Sequence, residues 1–202
     1  MNTLISKLGF IYNMLKYKYR FKKSGRFYIS SYSSIIGANM ISLGNTFFAN
    51  RFLRLEVFGT NKEIKLQIGN RVGLGESVHI GVSNFVEIGN NVLIGSRVLI
   101  TDHNHGEYTS LNPSSPFEAP AIRQIHSAGP VIIGENVWIG DGVVILPNVK
   151  IGFGCVIAAN TVVTKDLPAM TIAGGNPCRI LKVYNSDLKR WEKIDNLPKI
   201  NH

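Results

Sequence analysis

VIIGENVWIGDGVVILPNVKIGFGCVIAANTVVTKDLP, residues 131 to 168, decides the fold. Ile133, Ile139, Ile145, Ile151, Ile157 and Val163 recur at every sixth residue, and Val137, Val143, Val149, Cys155, Thr161 and Leu167 follow each of them by four. A helix repeats at 3.6 residues and a half-buried strand at 2, so neither keeps one residue type on every sixth position. The position after each large apolar residue is mostly small, as in Gly134, Gly140, Gly152 and Ala158, with Leu146 and Thr164 as exceptions. A small residue there suits a chain that turns tightly after burying a large side chain. The period predicts a parallel β-helix of hexapeptide repeats, a prism filled by stacked apolar ladders.

Outward from that stretch, the rhythm is clean from Ile68, Leu74 and Ile80 and resumes at Ile88, Ile94 and Ile100 after two extra residues near Asn84. Three sixes make one turn of a triangular prism, stacked at about 4.8 Å. Ile68 and Ile88 therefore head successive coils, as do Ile133 and Ile151. Between residues 35 and 67 the rhythm is ragged, and Arg51, Arg54 and Glu56 interrupt the ladder. It stops after Ile100 and restarts at Ile133. Residues 106–130, with Pro113, Pro116, Pro120 and Pro130, read as a loop thrown out of one corner. Loops of that length are usually functional or disordered, and Tyr108, Leu111, Phe117 and Ile122 predict one that packs on something.

Residues 1–34 carry Lys7, Lys16, Lys18, Arg20, Lys22, Lys23 and Arg26 and no acidic residue, seven of the nine net positive charges. Leu4, Leu8, Ile11, Tyr12, Leu15 and Tyr19 fall at helical spacing, which predicts a basic amphipathic segment. It packs on the end of the solenoid or, through residues 1–26, meets an anionic membrane surface. The segment lacks the apolar run and cleavage site of a signal peptide. No nucleic-acid-binding module surrounds the basic run, so nucleic acid is not an expected partner. At the other end, Leu188, Trp191 and Ile194 at i, i+3 and i+6 predict a helical cap over residues 183–202. The β-helix itself is assigned to residues 35–182. Two cysteines, Cys155 and Cys178, give no disulfide framework, which points to a reducing cytoplasm.

The repeat run continuing to Lys182, the TDHNHG segment before the loop and the tail VYNSDLKRWEKI together resemble the maltose and galactoside O-acetyltransferase family. The likeness is greatest to the branch that acetylates bacterial surface polysaccharides such as O-antigen and capsule. It is strong from Ile68 to Tyr184 and negligible in the first 34 residues. The resemblance implies a left-handed helix, a homotrimer, acetyl-CoA as donor, and a glycan or glycolipid acceptor, with no metal.

Acyl transfer to a sugar hydroxyl needs a base, and histidine titrates in the right range. His103 and His105 lie just before the loop. In the family the histidine closes the repeat before the loop, which by counting from Ile100 is His105. The alternative makes His103 the base with His105 in support, with Asp102 or Glu118 orienting the imidazole. For the donor, the resemblance points to Trp138, Gly140 and Asp141 beside the thioester, Ala159 in the pantetheine groove, and Thr164, Lys165, Arg179 and Lys182 at the phosphates. Asp141 departs from the small or hydroxyl residue usual there. His79, Ser83 and Asn84, near the irregular coil below the loop, are candidates to face the acceptor. Rival readings are an acetyltransferase for a small soluble sugar or antibiotic, a zinc hydratase, which needs three convergent imidazoles, and a noncatalytic scaffold.

Overall fold

A computed structural model describes residues 15, 17, 19–60 and 63–194. Short strands wind in a fixed order through three parallel sheets. The first face stacks Lys23–Ser24, Ile41–Leu43, Leu66–Ile68, Val86–Ile88, Val131–Ile133 and Lys150–Ile151. The second stacks Phe27–Ile29, Phe47–Ala49, Gly73–Leu74, Leu93–Ile94, Trp138–Ile139, Val156–Ile157 and Thr171–Gly174. Ser34–Ile36, Arg54–Val57, His79–Val82, Leu99–Thr101, Val144–Ile145 and Val162–Val163 form the third. This is the parallel β-helix that the period predicts, with the left hand that the resemblance implies.

Register follows the ladders. Ile68 pairs with Ile88, Ile88 with Ile133 and Ile133 with Ile151, and all four are buried. Leu74, Ile94, Ile139 and Ile157 stack in the second face, and Leu55, Ile80, Ile100, Ile145 and Val163 in the third. Burying each such side chain contributes about 1.5–3 kcal/mol. An exposed pair such as Arg51 with Glu76, at 2.9 Å, contributes about 0–1 kcal/mol. The ladders, not the surface charges, hold the prism.

The small residues after each ladder position have a different cause from the one expected. A Cβ on Gly140 would stand 2.7 Å from the Ala159 nitrogen, and one on Gly152 2.4 Å from that of Ala169. These glycines keep adjacent coils in contact. The left-handed residue comes two positions later, as in Asn91, Arg97, Asn136, Gly142, Asn148 and Asn160. Asparagine tolerates that conformation better than most side chains.

Two boundaries move, and one expected interruption is absent. The solenoid begins at Lys23, inside the stretch assigned to the basic N-terminal segment, because aromatic Phe27 and Phe47 take inward positions and disguise the repeat. Leu15 and Tyr17 are helical, while Leu4, Leu8, Ile11 and Tyr12 lie outside the described residues. Arg54 and Glu56 do not break a ladder. They point outward from a strand whose Leu55 and Val57 are buried.

The C-terminal helical cap is not formed over the described residues. Arg179–Asn185 pairs antiparallel with Thr171–Gly174 and then with Arg190–Lys193, making a hairpin across the expected 182/183 boundary. Asn185 Oδ1 accepts the Asp187 and Leu188 N–H groups, so it closes a turn where a helix was expected. Leu188, Trp191 and Ile194 do not face inward, and Trp191 lies edge to face on Tyr184 at 5.3 Å.

Candidate active site

Asp102 leaves the third face at its edge and turns inward, where it is fully buried. Its two oxygens accept the Ser83 and Asn84 N–H groups, each at 2.8 Å. The two extra residues near Asn84 thus form a turn that cradles this carboxylate. Asp102 Oδ1 also lies 2.9 Å from His103 Nδ1. A carboxylate only accepts, so Nδ1 carries the proton and Nε2 keeps its lone pair. The ring lies edge to face with Phe58, with centroids 5.9 Å apart, and Thr101 Oγ1 accepts the His103 backbone N–H.

His103 lines an open cleft of about 570 Å³ on the outer side of the third face. Arg54, Glu56, His79, Gly81, Leu99 and Thr101 form its floor and wall, and His105 and Ile125 its rim. His105 belongs to a two-residue strand, Asn104–His105, paired antiparallel with Ile125–His126, which pins the base of the loop. Its side chain is exposed and has no hydrogen-bond partner among the described residues, in contrast to His103. Glu118 makes no hydrogen bond to either imidazole; its carbonyl accepts from Arg123 and its backbone N–H donates to the Ser115 carbonyl.

Of the three acceptor candidates only His79 lines the cleft. Ser83 and Asn84 give their amides to Asp102. Arg54 and Glu56, read in the sequence as interruptions, are part of the wall. Glu56 Oε2 lies 3.0 Å from His79 Nε2 and Oε1 accepts from Arg54 Nε at 2.9 Å. Burial works against ionisation of Glu56, but the hydrogen bonds and charges of Arg54 and His79 outweigh it and lower its pKa.

The donor candidates fall in two separate depressions. Trp138, Gly140, Asp141, Ala158 and Ala159 line one of about 490 Å³ on the second face, where Trp138 points outward and is half exposed. Thr164, Lys165, Cys178 and Arg179 line another of about 240 Å³ under the tail. Lys182 lies in neither and sits in the hairpin, opposite Ile172 and Lys193. Asp141 has a structural task, since its Oδ1 accepts the Ser96 N–H at 2.8 Å and joins two coils.

The cysteines do not offer a nucleophile. Cys155 is buried with its thiol on the Pro168 carbonyl, and burial raises the pKa of Cys178 against the opposing effect of Arg179. Among the described residues no three His, Cys, Asp or Glu side chains are grouped to hold a metal ion.

The family description "Bacterial transferase hexapeptide (six repeats)" matches residues 130–165. The repeats of this stretch are similar to those of the hexapeptide-repeat transferases. Among curated relatives, the chain is 42% identical over 95 residues to WbbJ of Escherichia coli, described as a candidate lipopolysaccharide biosynthesis O-acetyl transferase. That match covers 46% of this chain and 48% of WbbJ. A candidate acetyltransferase of Saccharomyces cerevisiae is 42% identical over 39% of each chain. The chain thus spans less than half the length of these curated relatives. Among solved structures, the N-acyltransferase AntD from Bacillus cereus, in complex with dTDP and 3-hydroxybutyryl-CoA, superposes with a TM-score of 0.70 at 24% identity. It covers 86% of this chain and 88% of its own. A hexapeptide-repeat acetyltransferase from Vibrio cholerae, complexed with acetyl coenzyme A, gives 0.56 at 23% identity over 87% and 78%. Both share the fold.

Proposed function

We propose that the chain is an acetyl-CoA-dependent O-acetyltransferase that acts on a sugar hydroxyl of a bacterial surface polysaccharide. The observation that carries this reading is His103, an imidazole oriented by a buried carboxylate at the edge of an open cleft. Acetyl-CoA supplies the activated acyl carbon. His103 Nε2 takes the proton of the acceptor hydroxyl as its oxygen attacks the thioester carbonyl. The C–S bond then breaks, and the imidazolium returns the proton to the leaving thiolate. Backbone N–H groups beside Gly140 are suited to hold the developing oxyanion. Lys165 and Arg179 supply cations for phosphates, and the alanine floor at 158 and 159 suits an extended pantetheine arm.

The donor depression on the second face and the cleft on the third belong together in a homotrimer, where one copy faces the next. Leu111 and Phe117 on the loop are almost fully exposed and Ile122 largely so. The loop was expected to pack, and among the described residues these side chains find little or no cover. A neighbouring copy would cover them, and a native chain that sediments as a monomer would count against the trimer.

Preference for a surface glycan over a small soluble acceptor rests on the likeness to WbbJ and on charge. No acidic residue precedes Glu56, and of the nine cations in residues 1–55 only Arg51 and Arg54 are seen paired, with Glu76 and Glu56, among the described residues, while residues 1–34 carry the other seven and no acidic residue. We place this end of a cytoplasmic protein at the inner membrane surface, where lipid-linked glycans are built. No described helix is long and apolar enough to cross a membrane. The test of the activity is mass analysis of surface glycans from cells with and without the gene, alongside thiol release from acetyl-CoA by the purified chain. Loss of an acetyl group from the glycan is expected. Unchanged glycans together with no thiol release would exclude the reading.

A further inference from the structure

The cleft contains a second carboxylate–imidazole pair that the transfer chemistry does not use. Glu56 and His79 stand on the outward side of neighbouring strands, paired in register as Arg54 with His79 and Glu56 with Gly81. The Glu56 side chain is only 15% exposed, and Arg54 and His79 each donate to one of its oxygens. The prism does not require this arrangement, because its stability comes from the inward ladders and an ion pair on an outer face adds about 0–1 kcal/mol.

The two pairs are wired in opposite senses. Asp102 occupies Nδ1 of His103 and leaves Nε2 open, whereas Glu56 occupies Nε2 of His79 and leaves Nδ1 open. Between the rings lies Gly81, whose φ is not in the left-handed region. Its smallness therefore serves space. A Cβ there would stand 3.2 Å from His103 Cε1 and 3.7 Å from His79 Nε2. Each ring borders the same hollow, on a scale set by one side-chain carbon.

We infer that Glu56 and His79, with Gly81 as floor, bind the hydroxyl adjacent to the one that is acetylated, so that the acceptor is a neutral sugar ring bearing two neighbouring hydroxyl groups. A hydroxyl both donates and accepts, which matches an open imidazole nitrogen beside a fixed carboxylate. Leu99 offers an apolar wall for the C–H side of a ring. Among the described residues Arg54 is the one lysine or arginine lining the cleft, and it is already paired with Glu56, which favours a neutral ring over an acidic sugar. This assignment rests on the transferase reading for which hydroxyl reacts, but the binding position is testable without turnover.

The experiment is saturation-transfer NMR of the full chain with the methyl glycosides of glucose, galactose, mannose and rhamnose and with their monodeoxy forms. Coenzyme A binding is measured separately by calorimetry. At least one parent glycoside is expected to bind the native chain. Its binding should fall by about tenfold on Glu56→Gln, consistent with loss of a charged hydrogen bond, and be lost on Gly81→Val. Coenzyme A binding should hold in both variants, which also reports that they fold. Removing a hydroxyl next to another should weaken binding by a similar factor. Equal binding of deoxy and parent sugars, unchanged binding by Glu56→Gln, or no glycoside bound by the native chain would each overturn the inference. Failure of coenzyme A to bind the native chain would instead strike the transferase reading, and the sugar titrations would still decide the acceptor position.

Discussion

His103 Nδ1 lies 2.9 Å from Asp102 Oδ1, and that same carboxylate is held by two backbone amides from the coil below. The carboxylate is thus fixed before the imidazole is, and the imidazole has one orientation and one tautomer. His103→Ala is expected to lower turnover by roughly 10² to 10⁴ with the fold intact. His105→Ala, which removes an exposed ring with no polar partner among the described residues, should cost much less. Asp102→Asn presents an amide N–H to Nδ1 and so favours the opposite tautomer, lowering kcat more than it raises KM. Parallel kinetics of the three variants decide the base. Normal turnover in His103→Ala with a collapse in His105→Ala would transfer the role to His105.

The difference between the two histidines marks where sequence stops being enough. The ladder residues from Ile68 to Val163 were legible because one physical demand, filling a prism, repeats every six positions and leaves the same residue type each time. The first coils were hidden because Phe27 and Phe47 meet that demand with aromatic rings. The tail was misread because spacing over Leu188, Trp191 and Ile194 fits a helix and a hairpin alike, and the Asn185 turn decided it. For the site, counting from Ile100 pointed to the segment that lines the cleft but could not weigh His105 against His103, the ring that the buried carboxylate contacts. That Asp102 turns inward to meet amides 18 and 19 residues earlier is a fact of stacking, to which local spacing is blind. Glu56 was passed over for the same reason, since its partner His79 is 23 residues away.

The loop begins with a turn whose pH response has a defined sign. Hydrogen bonds from Ser110 and Thr109, which outweigh the small opposing effect of burial, lower the pKa of Glu107 to about 2. A carboxyl with a depressed folded-state pKa stabilises its structure above the unfolded value and loses that contribution as pH falls toward the folded one. The turn should therefore hold above about pH 4.5 and loosen progressively down to about pH 2. Amide exchange at Thr109 and Ser110, compared between the native chain and Glu107→Gln, reads this directly. Equal protection in both at pH 6 would remove Glu107 from the account.

Two glycines of the same prism should respond oppositely to alanine. Replacing glycine usually stabilises by about 0.4–1 kcal/mol through the unfolded chain where the native conformation allows it. At Gly73 the nearest atom to a new Cβ is a Leu93 methyl at 3.4 Å, so Gly73→Ala is expected to be neutral or slightly stabilising. At Gly152 the obstacle is backbone, the Ala169 nitrogen at 2.4 Å and its Cα at 2.6 Å, which cannot swing aside. Forcing those coils apart is expected to cost about 1–3 kcal/mol. Urea midpoints of the two variants test the cause assigned to the small repeat position. A Gly152→Ala protein as stable as the native one would show that coil contact does not set it.

Lys165 and Arg179 flank one depression and come from different parts of the chain, a coil corner and the first strand of the tail hairpin. Surface cations at such separation in sequence are usually solvated independently, and their convergence is what favours a phosphate-bearing ligand. If they hold phosphates of coenzyme A, the double change Lys165→Ala with Arg179→Ala should weaken donor binding by about tenfold or more, since each charged hydrogen bond contributes about 1.5–3 kcal/mol. Screening makes the native affinity fall as salt rises, and the double variant should lose most of that dependence. The hairpin should survive, because Arg179 donates only to the Cys178 carbonyl next to it. Calorimetric titration with coenzyme A at two salt concentrations, with dephospho-coenzyme A as comparison, separates the outcomes. A native affinity indifferent to salt, or one that the double variant keeps, would move the phosphates elsewhere, with Lys182 on the hairpin as the next residue to change.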